Sequence, residues 1–338
     1  MTPMFMTVGL VAAPTAADAQ TSGCPSVGTN FSGSGPFSVT VQGGSQHTYY
    51  SPSQLGSQGC TRHPVILWGN GTGASPSTYD ALLRHFASHG FIVAAANTAN
   101  AGSGQAMVAG LDNLTAFNSN SSSRFFDRVD LTRVGTTGHS QGGGGALEAA
   151  ADGRVDTTFP FQPWLGEGSD VNDGASAFFM AGQNDGIVSS ASVEADFNDA
   201  DHVPAAFGEL AGANHFEPVG NGGDFRAAAT AWVRWQLMDD ANGRGLFVGA
   251  NCGLCTSNAW SDYQANDLLS SEPPGDDPPP DELQCVTATN TAHEDAGRAT
   301  IVFIYAFAVG SGDFVGFASS TSSLQETSPG FWEEVPSC

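Results

Sequence analysis

The chain has 338 residues, 40% of them hydrophobic and 10% aromatic, which supplies apolar material for one sizeable core and a second small unit. Against 34 acidic residues stand 10 basic ones, every one of them Arg, for a net charge of −24. A surface of that sign repels a phosphate backbone and an anionic bilayer, so neither nucleic acid nor acidic lipid is expected as a partner, and the acid excess is read as solubilising.

Taken in chain order, residues 1–19 open with an apolar stretch and end in Ala17-Asp18-Ala19 before Gln20, the small-residue pattern of a secretory signal peptide cleaved after Ala19. An exported, extracellular protein is therefore expected. No other apolar run reaches 18 residues, so no transmembrane helix is expected. Strand-like runs follow at Phe37–Val41, His47–Ser51 and Pro64–Trp68, then a helical pattern at Thr78–Ser88, a buried-type strand at Phe91–Ala96 and a helix at Gln105–Phe117. Arg133–Gly138 reads as a strand and Gly143–Ala151 as a helix. Strands at Val155–Phe161, Ala177–Ala181 and Ala205–Leu210 alternate with helices at Ser192–Asp199 and Asp224–Leu237. Alternation of this kind implies a doubly wound, mostly parallel sheet over residues 20–269.

Residues 270–282, SSEPPGDDPPPDE, hold proline and acid with nothing apolar to pack, and read as a linker spanning roughly 40 Å if extended at ~3.1 Å per residue. Residues 283–338 form a small β-rich module, too small to be stable comfortably without a staple. Six Cys in a chain that looks exported are read as disulfides, and their clustering suggests Cys24–Cys60, Cys252–Cys255 and Cys285–Cys338. The last pair closes the module, whose aromatics Phe303, Tyr305, Phe307, Phe314 and Phe331 are assigned mostly to its core.

The chemistry starts at Gly138-His139-Ser140-Gln141-Gly142, a G-x-S-x-G set between a strand and a helix. A sharp turn there exposes the Ser hydroxyl, and only glycine tolerates the crowding beside it, which is the nucleophile arrangement of an α/β-hydrolase. A Ser hydroxyl needs a base, and in this fold the order is Ser, acid, His. Of eight His, His215 in GANHFE follows a strand and precedes the last helix; His202 is the reserve. Asp185, in AGQNDG after the strand Ala177–Ala181, is the acid, ahead of Asp170 and Asp173. The oxyanion donors expected of the fold are the N–H of Gln141, next to the nucleophile, and that of Thr72 in the Gly69–Gly73 loop. His139 and Phe216, beside the Ser and the His, are candidate substrate contacts. No cofactor or metal is required.

With these positions in hand, residues 24 to about 260 resemble the bacterial polyester hydrolases, the cutinase-like family that includes the poly(ethylene terephthalate) hydrolases. The likeness rests on Ala87-Ser88-His89-Gly90-Phe91, on Gly138–Leu147 as GHSQGGGGAL, on Asn184-Asp185, and on Ala213-Asn214-His215. It implies a secreted serine esterase acting through an acyl-enzyme on an ester polymer or small ester, with Trp164 and Ile187 joining Thr72 and Gln141 in the substrate wall. Thr72 stands where those enzymes usually carry an aromatic and Gln141 where they carry Met, implying a more polar cleft. Residues 285–299, CVTATNTAHEDAGRA, resemble the C-terminal module of some poly(hydroxyalkanoate) depolymerases and feruloyl esterases, which implies assistance on insoluble polymer. The alternatives are a feruloyl or acetyl esterase on plant polysaccharide, and an inactive polymer-binding protein. A monomer is expected.

Overall fold

Seven consecutive buried residues, His63–Gly69, form the central strand β3, and their side chains explain the layering. Val65 and Leu67 enter one hydrophobic cluster while Ile66 and Trp68 enter another, because alternate residues of a strand face opposite sides of the sheet. With both faces covered, the strand reads as a continuous apolar run rather than an alternating one. The computed structural model describes residues 23–164, 171–172, 174–249, 251–270, 285–295, 298–309, 311–328 and 331–338. The expected signal peptide, Asp170, Asp173 and all of the expected linker except Ser270 lie outside the described residues.

In chain order β1 (Val39–Gly43) and β2 (His47–Pro52) precede β3; then come α1 (Asp80–Ser88), β4 (Ile92–Ala96), α2 (Gln105–Ser119), β5 (Val129–Gly138), α3 (Gln141–Ala149) and β6 (Thr157–Thr158). They are followed by β7 (Ser176–Gly182), α4 (Ser190–Asp199), β8 (Ala205–Leu210), α5 (Arg226–Met238), α6 (Ala241–Arg244), β9 (Trp260–Ala265) and α7 (Asp267–Ser270). The nine strands lie in the order β1-β2-β4-β3-β5-β6-β7-β8-β9. Pairing is parallel from β4 through β8 and antiparallel at β1, β2 and β9. Leu82, Leu83 and Phe86 of α1 and Trp232 of α5 cover one face; Met107 and Leu111 of α2, Leu147 of α3 and Val193 of α4 cover the other. This is the doubly wound sheet of an α/β-hydrolase.

Two elements differ from the sequence pattern. The strand expected over Val155–Phe161 shrinks to Thr157–Thr158 plus isolated bridges at Phe161. Pro160 has no N–H to give a ladder, and Gln162 takes a positive φ of 45°, which turns the chain out of the sheet. Strand β9 has no apolar run to announce it, since it is an edge strand that puts Trp260, Tyr263 and Ala265 half-buried on the core, with exposed Ser261 and Asp262 between them.

The C-terminal residues form β10 (Cys285–Thr289), α8 (Asn290–Asp295), β11 (Ala299–Val302), β12 (Tyr305–Ala308), β13 (Phe314–Phe317), β14 (Thr321–Ser328) and β15 (Phe331–Val335). They make two antiparallel sheets, β10-β14-β15 and β11-β12-β13. Cys285 pairs with Cys338, as Cys24 does with Cys60 and Cys252 with Cys255. The core here consists of Ala299, Ala306, Ala308, Val315, Leu324 and Trp332. That overturns the assignment of the aromatics to the core: Phe303 is 95% exposed, Tyr305, Phe314 and Phe317 are exposed as well, and Phe307 is half-buried. The cause is register, because Ala306 and Ala308 of β12 take the inward positions and leave Tyr305 and Phe307 the outward ones. The side chain of Phe331 lies outside the described ones.

Candidate active site

Strand β5 ends at Gly138 and helix α3 begins at Gln141, so His139 and Ser140 make the whole connection. Ser140 sits at φ 56°, ψ −121°, a conformation rare for a side-chain-bearing residue. It is held there from both sides: its N–H donates to the Phe161 carbonyl (3.0 Å), and its carbonyl accepts from Gly144 (3.0 Å) and Trp164 (2.9 Å). A Cβ on Gly142 would lie 2.2 Å from the Gly69 oxygen, and one on Gly138 would lie 2.3 Å from the Gly142 oxygen. Glycine at both positions is a steric requirement of this turn.

The Ser140 hydroxyl is 2.9 Å from His215 Nε2, and His215 Nδ1 is 2.7 Å from Asp185 Oδ2. Asp185 follows β7, and its other oxygen accepts from the N–H groups of Ile187 (2.8 Å) and Val188 (2.9 Å), which fixes the carboxylate plane. Its side chain is fully buried and that of His215 nearly so. The loops that carry them are tied together by Asn184 N–H donating to the Ala213 carbonyl (2.8 Å), and Gln162 Nε2 donates to the Asn214 carbonyl (2.9 Å). Such an arrangement lets a proton pass from hydroxyl to imidazole while a buried anion stabilises the charged ring. His202 instead bonds the Val171 carbonyl (3.0 Å), and His293 bonds that of Ser322 (3.1 Å).

Ser140 and His215 open onto a cleft of about 450 Å³ that also takes in Thr72, His139, Ile187 and Phe216. Ile187, Phe216 and Val219 form an exposed apolar rim, and Thr72 is exposed at its edge. Trp164, 53% exposed, lines an adjoining depression of about 320 Å³ whose other residues include Ser189, Ser192 and Asp196. Ile187 borders both, so it is the ridge between them. Burial, with Asp199 nearby, raises the Asp196 carboxyl to about 7. Gln141 opens α3, where an N–H has no carbonyl a turn earlier in the helix to bond, and the helix dipole adds positive potential. Its side-chain oxygen is buried without a hydrogen-bond partner.

Three supporting residues have no motif to reveal them. Asn70 is fully buried, donates to the carbonyls of Ala96 (2.6 Å) and Thr98 (2.9 Å), and accepts from Trp68 Nε1 (3.0 Å), which anchors the loop that carries Thr72. Gln162 and Tyr79 are the other two. Only Gln162, in Phe159-Pro160-Phe161-Gln162-Pro163-Trp164, carries a signal in the sequence, as a polar side chain among apolar neighbours; it becomes interpretable once its partner is known. Among the described residues no cluster of His, Cys, Asp or Glu is placed to hold a metal ion, and no helix is long and apolar enough to cross a membrane.

Fold and site together define an enzyme of the α/β-hydrolase class. Residues 13–266 match the model of the PET hydrolase-like family, and the chain belongs to that family, whose members are carboxylic-ester hydrolases. It is similar to a cutinase of Thermobifida alba, 28% identical over 61% of this chain and 72% of the relative. It is likewise similar to a bis(hydroxyethyl) terephthalate hydrolase of Streptomyces coelicolor, 30% identical over 60% of this chain and 66% of the relative.

Proposed function

We propose that this enzyme is secreted and cleaves the ester bonds of polyesters through an acyl-enzyme on Ser140. The observation that carries the reading is the continuous line from Ser140 through His215 to a buried, doubly held Asp185. His215 Nε2 takes the hydroxyl proton as Ser140 Oγ bonds the ester carbon, and the oxyanion so formed accepts from the N–H groups of Gln141 and Thr72. The imidazolium, facing Asp185, then gives its proton to the departing alkoxide. Water follows the same route: His215 removes its proton, hydroxide attacks the acyl carbon, and Ser140 leaves with that proton as the carboxylic acid is released.

The Ile187–Phe216–Val219 rim suits an apolar acyl or aromatic unit, and the relatives named as a cutinase and a terephthalate-ester hydrolase support a polyester substrate. Three disulfides support export to an oxidising compartment. In the decisive experiment, Ser140→Ala lowers kcat on p-nitrophenyl butyrate by about 10³-fold or more, as for other Ser–His–Asp enzymes. Near-wild-type turnover would reject Ser140. Product release from polyester film but not from arabinoxylan supports the substrate class; the reverse points to a polysaccharide esterase.

A further inference from the structure

Beneath the cleft, one line of hydrogen bonds joins segments far apart in sequence. The Gly71 N–H donates to Tyr79 Oη at 3.3 Å, Tyr79 Oη lies 2.8 Å from His139 Nδ1, and His139 Nε2 lies 2.8 Å from the carbonyl oxygen of His215. A carbonyl can only accept, so the imidazole proton of His139 resides on Nε2. Nδ1 then offers a lone pair, and the Tyr79 hydroxyl, already accepting from Gly71, donates to it. The direction of every bond is therefore determined. It requires His139 to be neutral, and burial, with His215 adding to it, lowers His139 to about 4.

Packing supports the same line. Tyr79 and His139 are 1% and 3% exposed, and the His139 ring lies 4.7 Å from that of His215. A Cβ on Gly71 would come 2.9 Å from Tyr79 Oη and 3.2 Å from His139 Nδ1, so the loop backbone rests directly on the pair. Gly71 precedes Thr72, and His139 precedes Ser140. One rigid pair thus touches the backbone of the oxyanion loop, the nucleophile turn and the base.

We propose that Tyr79 and His139 are positioning residues that hold the Gly71–Thr72 loop and the His215 backbone at fixed heights around Ser140. The proposal rests on the acyl-enzyme reading above and adds to it the device that sets the site's geometry. Displacements of about 1 Å at a reacting centre cost on the order of 10²-fold in rate, so the pair's contribution should appear in turnover rather than in binding.

A fluorophosphonate probe on the wild-type enzyme separates the two claims. Failure to label Ser140 would sink the acyl-enzyme reading itself. Given labelling, Tyr79→Phe and His139→Phe are expected to lower kcat on p-nitrophenyl butyrate by about 10- to 100-fold with KM within about threefold, and to slow labelling in parallel. His139→Gln keeps an acceptor and a donor on one side chain, and is expected to recover about tenfold over His139→Phe. Folded Tyr79→Phe with kcat within about twofold of wild type, a loss confined to KM, or equal kcat in His139→Gln and His139→Phe would each overturn the proposal. Should Tyr79→Phe fail to fold, the two His139 variants decide alone, with thermal midpoints recorded so that assays run on folded protein.

Discussion

Arg234 is a buried cation in a protein with few cations. Its Nε lies 2.6 Å from Asp240 Oδ2, its other nitrogens donate to the carbonyls of His89 and Pro25, and both side chains of the ion pair are almost wholly buried. Removing the anion would strand a guanidinium away from water, a loss that typically costs about 3–5 kcal/mol. Asp240 also accepts from Asn242 and Gly243 at the start of α6. Asp240→Ala should therefore lower the urea midpoint by that free energy divided by the denaturant slope, and an unchanged midpoint would show that the guanidinium is not stranded. At this scale the sequence was informative only where chemistry leaves a local trace. Ser140 stands out because the turn demands glycines around it, and Asp185 and His215 because each follows a strand. Arg234, Asn70 and Tyr79 leave no such trace, since what makes each matter is a partner contributed by a distant segment. Trp164, placed in the substrate wall by resemblance, lines the depression that adjoins the cleft around Ser140 across Ile187.

Helix α1 and its C-terminal cap, His89, show how titratable groups fasten the segment that precedes β1. His85 Nε2 bonds the Phe31 carbonyl (3.1 Å), His89 Nε2 bonds that of Gly33 (3.0 Å), and the rings lie 4.6 Å apart. Burial lowers His85 to about 3 and His89 to about 4, in each case helped by a neighbouring positive or titrating group. Between those values and the ordinary 6.5, the unfolded chain binds protons that the folded one does not, so stability rises with pH across that window. The contribution is present above pH 6.5 and is lost as pH falls toward 4. Asp196, raised to about 7, works in the opposite sense, since its folded form holds a proton that the unfolded form releases. The histidine effect is isolated by difference: the stability gap between wild type and His85→Gln, followed by chemical denaturation, should shrink as pH falls from 7 to about 4. A gap independent of pH would show that His85 takes up its proton over the same pH range in the folded protein as in the unfolded chain. The elements themselves were legible where both faces of a strand are buried, as in β3, β4 and β7. Strand β9 was missed because an edge strand needs no apolar run, and β6 was overdrawn because Pro160 interrupts an otherwise apolar sequence.

Across the whole molecule, catalytic fold and C-terminal module follow different rules of construction. The catalytic fold encloses large aromatics, Trp68, Trp232, Phe161 and Phe178 among them. The module does the reverse, with an alanine-rich core under outward rings: Tyr305 lies 5.6 Å from Phe317 and 5.9 Å from Phe314. Its cohesion is supplemented by the Cys285–Cys338 bridge, whose 53-residue separation corresponds to roughly 4 kcal/mol in the chain-entropy model. Phe303 heads the β11–β12 hairpin at a positive φ of 61°, where the turn projects it from the surface.

Rings that contribute little to the core can be exchanged with little penalty to folding, which makes the wettability of this face an independently adjustable property. Replacing Phe303, Phe314 and Phe317 together with Ser should leave the thermal midpoint within a few degrees, in line with ordinary surface substitutions. The same variant should retain less protein on a polyester film after rinsing while keeping its turnover of soluble esters. A collapse in the midpoint would mean that the exposed rings hold the module together after all.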